Sequence, residues 1–211
     1  MKRKVITALL AATMVASLAV GCGNKGGDSK SDSSKSSSSD EITIGFSQVG
    51  AESDWRTANS ESMKSTFSEK NGYKLIFDDA QQKQENQITA IRNFIQQDVD
   101  YIVLAPVTET GWDTVLKEAK DADIPVIIVD RMIDVSDDSL YTAWVGSNFK
   151  MEGQKACEWL NAYAEAKGMK EVNIAHIQGT IGASAQIGRT EGLEEAAKEY
   201  GWNIVAQQTG E

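Results

Sequence analysis

The chain has 211 residues, 31 acidic against 21 basic side chains, a formal net charge of −10, two cysteines and one histidine. An acidic balance of this size is repelled by phosphate backbones and argues against nucleic acid as a partner. One histidine and two distant cysteines offer neither a metal-ligand cluster nor a disulfide framework.

In chain order, Lys2, Arg3 and Lys4 precede an apolar run from Val5 to Val20. A positive start and a run this short read as an export signal over residues 1–21, because a spanning helix needs about 20 apolar residues. Leu18-Ala19-Val20-Gly21-Cys22 has the form of a lipobox, in which Cys22 would carry a diacylglycerol thioether and become the mature amino terminus. Residues 22–40 are nearly all Ser, Gly, Lys, Asp and Asn and read as a flexible tether. A lipid-anchored protein on the outer face of the cell membrane is the expectation. Without the three signal cations its charge is about −13. Cys157 would then be the one remaining thiol, in a helical context that suits a small packing residue.

From Ile42 the pattern alternates between two periods. Ile42–Phe46 reads as a strand and Trp55–Lys70 as a helix with Met63 and Phe67 on one face, closed by Asn71-Gly72. Tyr73–Phe77 is the next strand, and Gln84–Gln97 a helix with Ile88, Ile91 and Ile95 on one face. Tyr101–Ala105 is a strand, and Thr110–Ala122 a helix burying Trp112, Val115, Leu116 and Ala119. Val126–Val129 and Tyr141–Val145 are strands. The rhythm restarts with helix Phe149–Ala166, its stripe Ala156, Trp159, Leu160 and Tyr163 inward. Strand Val172–Ile177, helix Ala185–Tyr200 and strand Trp202–Ala206 follow. Alternating strands and helices predict an α/β fold with parallel sheets flanked by helices. One complete Rossmann-like lobe is expected over 41–148 and the first part of a second, apparently truncated, over 149–211.

In open α/β sheets ligands bind beyond the carboxyl ends of strands. There lie Glu52, Ser53, Asp54, Trp55 and Arg56 after the first strand and Asp130-Arg131 after the fourth. Carboxylate acceptors beside guanidinium donors suit a ligand covered in hydroxyls. A surface ion pair is the competing account of Asp130-Arg131. Trp55 could lay its ring on the C–H face of a sugar or anchor the first helix in the core. In the second half, Gln178 to Ser184 joins a strand to a helix without the lysine and spacing of a phosphate loop, and Arg189 follows one turn later. His176 sits in an apolar strand, where a structural role is expected. No nucleophile with an adjacent base, paired catalytic carboxylates, metal ligands or cofactor motif presents itself, so binding without chemistry is expected.

Several stretches together resemble a known family. They are Phe46-Ser47-Gln48-Val49-Gly50, Trp55-Arg56, Gln81 to Ile88, Ala105-Pro106-Val107, Gly111-Trp112, Val115 to Ala122, Ile124-Pro125-Val126, Asp130-Arg131, Gln178-Gly179-Thr180 and Gly182-Ala183-Ser184. The likeness is to the type I periplasmic binding proteins of bacterial sugar ABC transporters, their galactofuranose-binding branch in particular, and runs from about residue 42 to the end. It implies two lobes closing on a monosaccharide, galactofuranose-like or another aldose, in a monomeric receptor that hands it to a permease. Presentation of the ligand-bound form to a membrane sensor kinase is the alternative. By position it implies that Glu52, Ser53, Asp54, Trp55 and Arg56 form the first wall, Asp130 and Arg131 bind hydroxyls, and Arg189 reaches in from the second lobe. Asp54 stands where the family has a small residue. The family also runs on by more than a hundred residues, so the 211 residues alone are expected to bind sugar weakly. A LacI-type regulator would share the fold, but the signal and tether occupy the place of its helix-turn-helix.

Overall fold

The computed structural model describes residues 41–210; the expected signal segment 1–21, the lipidation site Cys22 and the tether 22–40 lie outside the described residues. The first region comprises β1 (Ile42–Gln48), α1 (Asp54–Thr66), β2 (Tyr73–Asp79), α2 (Gln84–Gln96), β3 (Tyr101–Leu104), α3 (Asp113–Asp121), β4 (Val126–Asp130) and β5 (Ala143–Gly146). Its strands form one parallel sheet in the order β2-β1-β3-β4-β5, with Ile44 opposite Leu75 and Asp130 opposite Gly146.

Local chemistry sets the boundaries. The Ser53 hydroxyl accepts the backbone N–H of Arg56 at 3.2 Å and starts α1. That helix ends at Thr66, short of the predicted Lys70, and a 3-10 turn over Glu69–Asn71 follows, closed by Gly72 in the left-handed conformation at φ 84°. Both faces of the sheet are covered. Ile44, Phe46 and Val103 pack with Met63 of α1 and with Phe67 just after that helix. Ile102, Leu104, Val126 and Ile128 pack with Ile91 and Phe94 of α2, with Leu116 of α3 and with Trp112 just before that helix.

The second region holds α4 (Phe149–Ala166), β6 (Asn173–Gln178), α5 (Ser184–Tyr200) and β7 (Asn203–Thr209), with β6 and β7 parallel. Its core is Cys157 and Ala164 of α4, Leu193, Ala196 and Ala197 of α5, Val172 and Trp202. The helices meet backbone to backbone. A Cβ on Gly192 would lie 2.7 Å from the Lys150 carbonyl oxygen and 2.8 Å from the Gln154 nitrogen. Opposite the helices the sheet is open, with Ile177 78% and Val205 64% exposed.

Two predicted stripes are corrected. On α4 the buried positions are Phe149, Gly153, Cys157 and Ala164, whereas Trp159 and Tyr163 are exposed and stack on each other at 5.5 Å. The close approach of α5 demands small residues on the facing side, which turns the large aromatic ones away. On α2 the buried stripe is Gln87, Ala90, Ile91 and Phe94, with Ile88 and Ile95 half-buried at its margin.

Candidate ligand-binding site

A cleft of about 350 Å³ opens where the carboxyl ends of β1 and β4 face the amino ends of α4 and α5. Its walls are Glu52, Ser53, Trp55, Arg56, Asp130 and Arg131 from the first region, with Ser147, Phe149, Glu152, Ala185 and Arg189 opposite. The first turns of α1, α4 and α5 therefore all border it. The positive ends of three helix dipoles thus border the space, which favours oxygen acceptors.

Arg56 organises the first wall. Its side chain is almost wholly buried; Nε donates to Glu52 Oε1 at 3.2 Å and Nη2 to Asp130 Oδ2 at 3.0 Å. Its Nη1 is buried without a hydrogen-bond partner. Two carboxylates thus fix one guanidinium, and each retains lone pairs for a ligand hydroxyl. Trp55, beside it, is 56% exposed, with the Arg56 guanidinium carbon 4.7 Å from its ring centroid. An exposed indole backed by a cation is a platform for an apolar face and is not a core anchor. Asp130 adopts φ 64°, a left-handed conformation at the last residue of β4.

Arg131 donates from Nη1 to the Val107 carbonyl at 3.0 Å. The loop carrying that acceptor is held by Gln87, fully buried, whose amide donates to Ala105 O at 2.7 Å and accepts from Val107 N at 2.8 Å. Across the cleft Arg189 donates to Glu152 at 2.8 Å and lies over the Phe149 ring at 4.9 Å. The two walls are tied nearby: Met132 N–H donates to Ser184 Oγ and Glu109 N–H to Gly182 O, both at 2.8 Å.

Of the residues singled out in the sequence, Glu52, Ser53, Trp55, Arg56, Asp130, Arg131 and Arg189 come together in this cleft. Asp54 does not: it is exposed in the first turn of α1 and absent from the cleft wall, because consecutive helical positions point about 100° apart. Sequence reasoning missed Ser147, Phe149, Glu152 and Ala185, and the supporting role of Gln87. A buried glutamine within an apolar helical stripe is the one signal that could have exposed the latter. His176 borders a smaller recess of about 150 Å³, which shares Arg131, Ala185 and Arg189 with the cleft, and its Nδ1 is buried without a partner.

The guanidinium groups of this arrangement can donate to hydroxyl oxygens and its carboxylates can accept from hydroxyls. Burial pushes the Cys157 thiol above its ordinary value, and Cys157 is not among the residues that line the cleft. Among the described residues no three His, Cys, Asp or Glu side chains are grouped to hold a metal ion.

The fold is a two-region α/β architecture with parallel sheets, and the comparisons assign it a family. The periplasmic binding protein domain family matches residues 44–211, and the chain belongs to that family. It is 49% identical over 171 residues to the galactofuranose-binding protein YtfQ of Escherichia coli (strain K12), covering 81% of this chain and 52% of the relative. A solved structure, the periplasmic binding component of the arabinose ABC transporter from Shewanella sp. ANA-3 bound to α- and β-L-arabinofuranose, is 51% identical with a TM-score of 0.75, over 81% of this chain and 55% of that one. A Mycobacterium smegmatis protein in complex with β-D-fucofuranose is 48% identical with the same TM-score, over 81% and 56%. The chain spans about half the length of the curated relatives it matches.

Proposed function

We propose that this chain belongs to an extracytoplasmic solute-binding lipoprotein that captures a monosaccharide and delivers it to the permease of a sugar ABC transporter, without altering it chemically. The observation that carries this reading is the cleft itself: an exposed indole, three guanidinium groups and three carboxylates from two regions of the chain surround a space of monosaccharide size. Trp55 would cover the C–H face of the sugar, Asp130 and Glu52 would accept from hydroxyls, and Arg56, Arg131 and Arg189 would donate to hydroxyl and ring oxygens. The furanose ligands named for similar proteins favour a five-membered ring form.

Residues 41–148 and 149–211 act in this reading as two lobes, of which only the closed arrangement contacts the sugar from both sides. Sugar then shifts the open–closed balance by its differential contacts. Cys22 would hold the receptor, a monomer, at the membrane by its lipid, and residues 22–40 would serve as its leash; Cys22→Ser should release it from membranes on fractionation.

The test is a thermal-shift screen of the parent protein, at the length of its relatives, with L-arabinose, D-galactose, D-fucose and D-fructose in large excess, since a ligand that binds only the native state raises the melting point. At least one sugar should do so, and Asp130→Ala or Arg131→Ala should then weaken its binding by about 1.5–3 kcal/mol. A melting point that no sugar moves would remove the receptor reading; an affinity unaltered in both variants would remove those residues from the site.

A further inference from the structure

Asp130 lies in the left-handed region at φ 64°, which an aspartate tolerates but does not prefer. It is the last residue of β4 and pairs in register with Gly146, the last residue of β5. Two features of β5 meet it there. The indole Nε1 of Trp144 donates to the Asp130 carbonyl oxygen at 3.3 Å. A Cβ built on Gly146 would overlap that same carbonyl oxygen and the Trp144 indole nitrogen. Residues 144 and 146 share one face of the strand, so the missing side chain at 146 leaves the room into which both the indole and the turned carbonyl fit. Neither residue lines the cleft.

The turned backbone has a consequence on the other side of the peptide. It carries the Asp130 carboxylate to 3.0 Å from Nη2 of the buried Arg56, and thereby fixes the acid and base that face the ligand. We propose that Trp144 and Gly146 are positioning residues for ligand binding, acting through the backbone of Asp130. This rests on the receptor reading for its sugar readout and on Arg56 for a readout that needs no sugar.

Two variants of the full chain test it, Trp144→Phe, which removes the indole N–H, and Gly146→Ala, which fills the space. In the sugar-free protein the guanidinium protons of Arg56, followed by ¹⁵N NMR, should shift and exchange faster with water in both. In the parent protein at the length of its relatives, sugar affinity should fall about tenfold in each, while Trp144→Phe placed on an Asp130→Ala background should cost nothing more, as coupled positions do. Arg56 signals that stay unchanged in both variants overturn the proposal whatever the sugar data show, and so does an equal affinity loss from Trp144→Phe with and without the Asp130 carboxylate. If Arg56 responds but no sugar binds the unsubstituted parent protein at the length of its relatives, the receptor reading falls while the coupling of Trp144 to the Asp130–Arg56 pair stands.

Discussion

The five-stranded and two-stranded sheets repeat the same alternation of strand and helix but bury their strands by different means. In the first region α1 covers one face and α2 with α3 the other, so β3 is buried at Ile102, Val103 and Leu104 in succession. In the second, α4 and α5 supply a single layer, and β6 alternates between half-buried and exposed positions along its length. Sheet burial dominates one region; contact between two glycine-bearing helices dominates the other. A strand's burial is therefore a property of the layers around it more than of its own composition.

The largest blow to the first region should come from Trp112→Ala. The indole is fully buried among Leu116, Ile128 and their neighbours, and its Nε1 donates to the Thr108 carbonyl at 2.9 Å. Losing that volume should cost about 3–5 kcal/mol in denaturant unfolding. Hydrogen exchange sharpens the contrast: if β6 and β7 keep their protection while β1 to β5 lose theirs, the regions fold as separable units. A uniform loss would show that one cooperative transition spans both.

Gly192→Val should be the counterpart in the second region, with a cost of about 1–3 kcal/mol from overpacking the α4–α5 contact. Its exchange losses should fall on α4, α5, β6 and β7. No change in stability would mean that the two helices can separate at little cost, and that helix contact does not hold this region together.

The alternation from Ile42 to Ala206 was enough to place every strand, the parallel direction and the gathering of strand-end loops, because hydrophobic period and length are local signals. Trp55, Arg56, Asp130, Arg131 and Arg189 could be drawn toward one edge by the same rule. What the sequence hid depends on how elements meet. Trp159 and Tyr163 satisfy a helical apolar stripe, yet the face toward α5 is chosen by Gly153 and Cys157, which only the neighbouring helix explains. Phe149 and Glu152 enter the cleft because the amino end of α4 abuts the first region, and Asp54 leaves it by one step of helical rotation. Gln87 reads as a surface amide until the loop at Ala105 and Val107 is seen to need both its donor and its acceptor.

The smallest effect probes the seam between the two regions. Glu109 donates its backbone N–H to Gly182 of the second region and accepts from Asp134 N–H at 2.7 Å. Burial, and then the charges of Asp134 and Glu191, push its carboxyl above the ordinary 4.5; Lys150 lies 3.8 Å from Glu191 and offsets part of that charge. The folded chain therefore binds this proton more tightly than the unfolded one. The stability it contributes is complete below the ordinary glutamate range and is lost as pH rises through the raised value. Glu109→Gln removes the penalty, so the variant should melt higher than the parent near neutral pH, by less than about 1 kcal/mol because the group is partly solvated. The gap should close as pH falls below the ordinary value. A gap that persists in acid would assign the effect to packing at the seam, and a variant that melts lower at neutral pH would show that the carboxylate contributes to the join between the regions and does not strain it.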